Sequence, residues 1–391
     1  MATRLDIDTK KRATRDDLPE IQAGLEGVVI AHSEISHVNG EVGSLSYRGI
    51  DAGDLARHST FEETVYLLWL GYLPDWEQLS AFGAALAAER ALDESILTLL
   101  TSLPRRAEPM DALRTAVSAL ACGEIDDGDR DQEANLVKAI HLVAQMPTMV
   151  AAYWRHLQGQ APVAPRSDLG HAANFLYMLH GEAPSELDAR AMDMTMLLMA
   201  DHGFNASTFA ARVTASTLSD MYAAITTAVG TLKGSLHGGA NRRAMEMLLE
   251  IGDVSNAEAY INEALAAKRR IMGFGHRVYK RAADPRSAYL RDMLYEVCSA
   301  RGDCALYDLA VAVANIVEDR KGLYPNVDFF TAPLLYLLGV PLELFTPVFA
   351  ISRICGWTAQ VMEQYARNRL LRPLCAYVGP EAQAYVSLDA R

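Results

Sequence analysis

The chain has 391 residues, half of them apolar and about a fifth charged, which suits a globular protein large enough for more than one domain. Its net charge of −13 argues against nucleic-acid binding through a general basic surface, so an anionic ligand must be held by local arginines. No apolar run reaches the length of a bilayer span, and residues 1–20 mix Lys and Arg with Asp and Glu around no apolar centre; no membrane segment or signal peptide is expected, and the cytoplasm is the expected compartment.

In chain order, residues 1–20 read as a loosely held polar arm. Short β-like runs at 28–31 and 44–47 flank Asn39-Gly40, a hairpin-type turn signal. From Thr60 onward the pattern is helical. Thr60-Phe61-Glu62-Glu63 fits a capping box, in which Glu63 reaches back to the Thr60 N–H, and Val65, Leu67, Leu68 and Leu70 form an apolar stripe that Gly71 and Pro74 stop. Helices are expected over 76–88, 95–102, 110–121, 131–157 with a break near Pro147, 169–179, 186–200, 209–228, 287–301, 304–319, 329–338 and 344–369, with 158–165 as a surface loop. The expected fold is all-α with one small N-terminal β-hairpin and no internal repeat.

Five scattered cysteines (Cys122, Cys298, Cys304, Cys355 and Cys375) make no CxxC pair, so reduced and mostly buried thiols are expected rather than a disulfide framework or a zinc site. The run Met192, Met194, Met196, Met199 reads as helical core packing. No spacing suits a metal site. Gly273-Phe274-Gly275 lacks the strand–GxGxxG–helix context of a dinucleotide fingerprint, so a redox nicotinamide is not expected.

Chemistry concentrates in four segments: Asp201-His202-Gly203-Phe204-Asn205, Gly234-Ser235-Leu236-His237-Gly238-Gly239, Gly273-Phe274-Gly275-His276-Arg277 and Tyr324-Pro325-Asn326-Val327-Asp328. A lone histidine is more often a core or helix-terminus residue than a catalyst. Three histidines beside glycine, followed by a carboxylate, instead read as a proton-transfer site that the fold must assemble from distant segments. Gly234, Gly238 and Gly239 free backbone N–H groups around His237, and a helix starting there lowers its pKa.

With these four segments in this order, with Leu45-Ser46-Tyr47-Arg48-Gly49 before them and Asn368-Arg369-Leu370-Leu371-Arg372-Pro373 after, the chain resembles the citrate synthase family, including 2-methylcitrate synthase, over nearly its whole length. The resemblance implies a large helical domain of residues 1–236 and 340–391, with a smaller helical domain of 237–339 inserted, and an active site in the cleft that domain closure dries. It implies condensation of acetyl-CoA with oxaloacetate and hydrolysis of the thioester, with the CoA compounds as substrate and product and no tightly bound cofactor. By resemblance, Asp328 is the base for the methyl proton, His237 the donor to the thioester oxygen and His276 the group that polarises the oxaloacetate carbonyl. His202, Arg286, Arg353 and Arg372 are implied to hold oxaloacetate, Arg372 from the neighbouring subunit of a homodimer. Arg270, Ile271, Gly273, Phe274, Gly275, Lys280 and Lys321 are the implied CoA contacts.

Arg286 comes ten positions after His276, one more than the family's usual spacing, which leaves open whether Lys280 or Arg281 meets the CoA phosphates. The resemblance also implies no inhibition by NADH. Three other readings stand beside the first: a propionyl-CoA enzyme with Thr331-Ala332 in the acyl pocket, since one methylene discriminates by only about 1–3 kcal/mol; a non-catalytic CoA- or carboxylate-binding protein; and the synthase-like module of a citrate-cleaving lyase, disfavoured for want of a nucleotide-binding region.

Overall fold

The computed structural model describes residues 21–123, 131–280, 282–380 and 383–391; the expected arm at 1–20 and Arg281 lie outside these. The chain divides into two compact units, Ser33–Leu370 and the pairing of Met1–His32 with Leu371–Arg391. In the second, the described residues hold only short 3-10 turns at Ala23–Leu25 and Leu388–Ala390. The expected strand at 28–31 does not form: Val29 is exposed, and Gly27, at φ +78°, turns the chain just before it.

Within Ser33–Leu370, strands β1 (Ser36–Asn39), β2 (Ser44–Tyr47) and β3 (Ile50–Asp51) make an antiparallel sheet in the order β1-β2-β3, where one hairpin was expected. Ser36 pairs with Tyr47 and Asn39 with Ser44. Asn39 builds the turn, its carbonyl taking the Gly43 N–H at 3.0 Å and its side-chain oxygen the Glu41 N–H at 3.1 Å.

Helix starts follow their caps. Asp51 receives the Gly53 N–H at the start of α1 (Ala52–His58). Thr60 caps α2 (Phe61–Leu70) by taking the Glu63 N–H at 3.2 Å, but the Glu63 carboxylate bonds the Ser59 hydroxyl at 2.5 Å instead of closing the box. The full reciprocal box forms one helix later, between Asp75 and Gln78 at the head of α3 (Trp76–Ala88).

Next come α4 (Glu94–Ser102), α5 (Pro109–Leu120) and α6 (Gln132–Leu157). Helix α6 runs unbroken through Pro147, which is packed among fully buried Met146 and Met149; burial there offsets the lost backbone bond. After α7 (His171–His180) and α8 (Glu186–Leu198), the single helix expected over 209–228 is two, α9 (Ala206–Ser216) and α10 (Met221–Leu232). Leu218 at φ +63° breaks the chain, and Asp220 restarts it by capping the Ala223 N–H.

Helices α11 (Ala240–Ile251) and α12 (Val254–Ala266) were not anticipated; α13 (Pro285–Arg301), α14 (Ala305–Lys321), α15 (Val327–Leu337) and α16 (Phe345–Ala366) were, within a few residues. Helix α16 is buried on nearly every face and packs against α2, α6, α8, α9 and α10, which makes it the axis of the core. Gly356 on α16 lets this axis pass the segment after α8: a Cβ there would lie 2.2 Å from the Ala200 carbonyl oxygen and 2.7 Å from Asp201 Oδ1.

The methionine run 192–199 is core, as expected. Of the five free cysteines, Cys298 and Cys355 are buried, whereas Cys122 and Cys375 are exposed, against the expectation of mostly buried thiols. Among the described residues no helix is long and apolar enough to cross a membrane.

Candidate active site

His202 sits in the bend after α8. Asp201, buried beside it, accepts the Ser36 hydroxyl at 2.5 Å, the Gly203 N–H at 3.1 Å and a Gln360 N–H at 3.3 Å, so β1 and α16 both grip the bend. The hydroxyl of buried Tyr47 on β2 lies 3.2 Å from the Leu197, Leu198 and Asp201 carbonyl oxygens. Burial holds His202 neutral well below the usual histidine range, and the charges of Arg286, His276 and Arg353 push the same way.

His237 lies between α10 and α11. Its own N–H bonds the Gly234 carbonyl at 2.8 Å; the Gly234 N–H bonds the Thr231 carbonyl at 3.1 Å and the Gly238 N–H the Leu232 carbonyl at 2.9 Å, so these two glycine N–H groups are committed, not free as the sequence suggested. A Cβ on Gly238 would meet that Leu232 oxygen at 2.6 Å. Its pKa falls to about 4 through burial first and Arg353 second, rather than through a helix start. The Ser207 N–H is shared between Asn205 Oδ1 at 3.2 Å and His237 Nε2 at 3.3 Å, and with Nε2 as an acceptor the imidazole proton is assigned to Nδ1. Ser207 Oγ, 2.8 Å from the same nitrogen, is itself held by Asn205 and by the Trp357 indole N–H.

His276 carries the opposite tautomer. The N–H groups of Val278 and Tyr279 donate to its Nδ1 at 3.0 and 3.3 Å, which leaves the proton on Nε2. Burial, followed by Arg286 against an opposing Asp284, lowers its pKa to about 4. Both imidazoles are therefore neutral donors near pH 7, each with one nitrogen anchored to backbone N–H groups.

A short strap links His276 to Asp328. The Gly275 N–H bonds the Tyr324 carbonyl at 3.1 Å, the Asn326 N–H bonds the Gly273 carbonyl at 2.9 Å, and the Asn326 amide reaches the Gly275 carbonyl at 3.0 Å. Gly273, at φ +82°, leaves no room for a side chain: a Cβ would strike Phe329 at 2.8 Å. Asp328 follows in the first turn of α15, which Asn326 caps through the Asp328 N–H. Its Oδ1 is shut from solvent with no hydrogen-bond partner among the described residues. Burial pushes the carboxyl up to about 6, with Arg286 pulling down and Asp284 pushing up.

Asp284 caps α13 through the Arg286 N–H and grips the Arg286 guanidinium twice, at 2.9 Å (Nε) and 2.7 Å (Nη2). The same carboxylate accepts the Val327 N–H at 3.0 Å, tying α13 to the start of α15. Burial opposes both charges, but the pairing outweighs it, holding Asp284 below and Arg286 above their ordinary ranges. Arg353, in the middle of α16, bonds the Met199 carbonyl through Nε at 2.5 Å and lies over the Phe349 ring. Burial lowers its pKa, with Asp201 opposing and Arg286 adding to the effect.

The two buried arginines tie the set together: Arg286 acts on His202, His276 and Asp328, and Arg353 on His202, His237 and Asp328. Arg372 belongs to the other compact unit, on its exposed tail. Ile271 and Phe274 are buried, while Arg270, Lys280 and Lys321 are exposed. Thr331 and Ala332 are fully buried in α15, the Thr331 hydroxyl donating to the Val327 carbonyl at 2.7 Å. Sequence reasoning missed Ser207, Tyr279 and Asp284, although each lies in or beside a motif it quoted.

A family profile described as citrate synthase, C-terminal domain, matches residues 24–374. The chain is 47% identical to the citrate synthase of Haloferax volcanii over 377 residues, 95% of this chain and 99% of that one. It is 46% identical to the 2-methylcitrate synthase of Mycobacterium tuberculosis over 368 residues, 94% of this chain and 93% of that one. Among solved structures it is similar to the ternary complex of carboxymethyl coenzyme A and oxaloacetate with citrate synthase from Thermoplasma acidophilum, with a TM-score of 0.89 and 31% identity over 95% of this chain and 100% of that one.

Proposed function

The chain belongs to the citrate synthase family, and from that premise we propose that it condenses acetyl-CoA with oxaloacetate and hydrolyses the resulting thioester to citrate and CoA. It is an acyltransferase-type enzyme. The observation that carries the reading is the pair of neutral imidazoles with opposite tautomers that share two buried arginines with a carboxylate whose Oδ1 has no hydrogen-bond partner among the described residues.

In this mechanism Asp328 takes a methyl proton from the thioester, a weak carbon acid. His237 Nδ1–H donates to the thioester oxygen as negative charge gathers there, and His276 Nε2–H donates to the ketone oxygen of oxaloacetate. The new carbon–carbon bond forms between the methyl carbon and that ketone carbon; His276 supplies the proton that makes the alcohol, and water then cleaves the thioester. A preorganised donor in a dry site contributes roughly 3 kcal/mol to such a transition state, and a donor already neutral spends nothing on losing charge. The Asp328 pKa of about 6 keeps it ionised at pH 7 yet a stronger base than a surface carboxylate.

Arg286 and Arg353 bind the two carboxylates, and His202 orients them. In this reading residues 237–339 close as a smaller domain, and Arg372 reaches the site of a second copy in a homodimer. Ile271, Gly273, Phe274 and Gly275 face CoA, with Arg270, Lys280 and Lys321 toward its phosphates, and no tightly bound cofactor takes part.

Oxaloacetate-dependent release of free thiol, measured with acetyl-CoA beside propionyl-CoA, tests this. Preference for acetyl-CoA supports the proposal; preference for propionyl-CoA, which the Mycobacterium relative motivates, moves the acyl substrate one methylene up; release from neither ends it.

A further inference from the structure

We infer that Tyr279 is a positioning residue for oxaloacetate, its hydroxyl donating to His202 Nε2 and its ring bracing His202 and His276 at a fixed mutual angle. The inference rests on the function proposed above and adds a residue to its substrate pocket.

Tyr279 is buried, with only 4% of its surface exposed. Its hydroxyl lies 3.1 Å from His202 Nε2. Its ring centroid is 4.7 Å from that of His276 and 5.5 Å from that of His202, and the two imidazoles meet edge to face at 5.1 Å. Its backbone N–H is one of the two that set the His276 tautomer. One residue therefore touches both histidines, through three different groups.

The direction of the hydroxyl bond follows from the tautomer. Burial keeps the Tyr279 phenol protonated and His202 neutral, and the His202 ring donates to its own backbone, which only Nδ1 can reach; this assigns the proton to Nδ1 and leaves the Nε2 lone pair for the phenol O–H. The loop cannot carry Tyr279 away outward, because the β1–β2 turn is pressed against it. A Cβ on Gly40 would lie 2.2 Å from the Val278 carbonyl oxygen, and one on Gly43 would lie 2.8 Å from that of Ala283. The Lys280 N–H closes the loop onto the same Val278 carbonyl at 2.9 Å.

Tyr279→Phe removes the hydroxyl and keeps the ring. The expected result is a KM for oxaloacetate about fivefold higher, the loss of one net hydrogen bond, with kcat falling less than threefold and KM for acetyl-CoA unchanged. Histidine side-chain NMR of the same variant should show a shift at His202 without oxaloacetate present. An unchanged oxaloacetate KM, or a parallel rise in both KM values with an unmoved His202 signal, overturns the inference. Wild-type protein that releases no thiol overturns the proposed function instead, so the two failures are distinct.

Discussion

The two buried arginines of the site stand in opposite electrostatic circumstances. Arg286, at the head of α13, brings its own carboxylate: Asp284 holds it by two bonds and is itself bonded to the Val327 N–H. Arg353, in the core of α16, has a carbonyl oxygen and a phenyl face, with Asp201 near enough to raise its pKa but bonded through Oδ2 to Ser36, Gly203 and Gln360 and making no hydrogen bond through Oδ1. Arg286 is a structural joint, whereas Arg353 is a cation kept in low dielectric; in the proposed function both charges meet an anionic ligand. A buried charge short of a partner costs stability, and in an enzyme that cost is returned on substrate binding.

The largest expected effect comes from breaking the joint. Arg286→Leu strands Asp284 buried and uncompensated, and should lower stability by about 3–5 kcal/mol in chemical denaturation. A loss no larger than that of the matching Arg353 variant would erase the contrast.

Next in size is Asp328, which feels both arginines. Its folded pKa of about 6 exceeds the ordinary carboxylate value, so the folded state holds the proton more tightly. Its contribution to stability is present in full below about pH 4 and is lost as pH rises through 6. Asp328→Asn escapes that loss: at pH 8 it should be more stable than wild type by about 3 kcal/mol, with the gain vanishing toward pH 4, while thiol release nearly ceases. A pH-independent difference in melting would refute the assignment.

Arg353→Met removes the cost of burying the guanidinium but takes a cation from buried Asp201, so it should cost about 1–2 kcal/mol, less than Arg286→Leu, yet raise the KM for oxaloacetate well above tenfold. Finally, Gly40→Ala pushes on the Val278 carbonyl from outside the site. Because that oxygen is backbone and only 2.2 Å from the added Cβ, the turn or the loop must shift, and the variant should lower the melting temperature and raise the oxaloacetate KM two- to threefold; an unchanged KM would show that the turn merely rests against the loop.

Much of this was legible beforehand because the chemistry lives in short motifs. His202, His237, His276 and Asp328 stand out by their neighbours, and Arg286 and Arg353 by the family resemblance; Arg286 acts on His202, His276 and Asp328, and Arg353 on His202, His237 and Asp328. Helix α3 was placed to the residue, since Asp75, Gln78 and the apolar spacing agree locally. What stayed hidden depends on partners far along the chain. Nothing local distinguishes 28–31 from 36–39 as the strand that pairs with 44–47. The tautomers of His237 and His276 depend on which backbone N–H groups approach, and Glu63 turned to Ser59 instead of closing its box. Leu218, an unremarkable leucine, adopts a left-handed conformation that no propensity foretells.

Gly356 has a practical corollary. Helix α16 has one position without a side chain, and there the Asp201-His202 bend crosses it within contact distance. Any mutagenesis library aimed at substrate range should freeze that codon, because a single added methyl group would lever His202 away from Arg353 however good the rest of the pocket became.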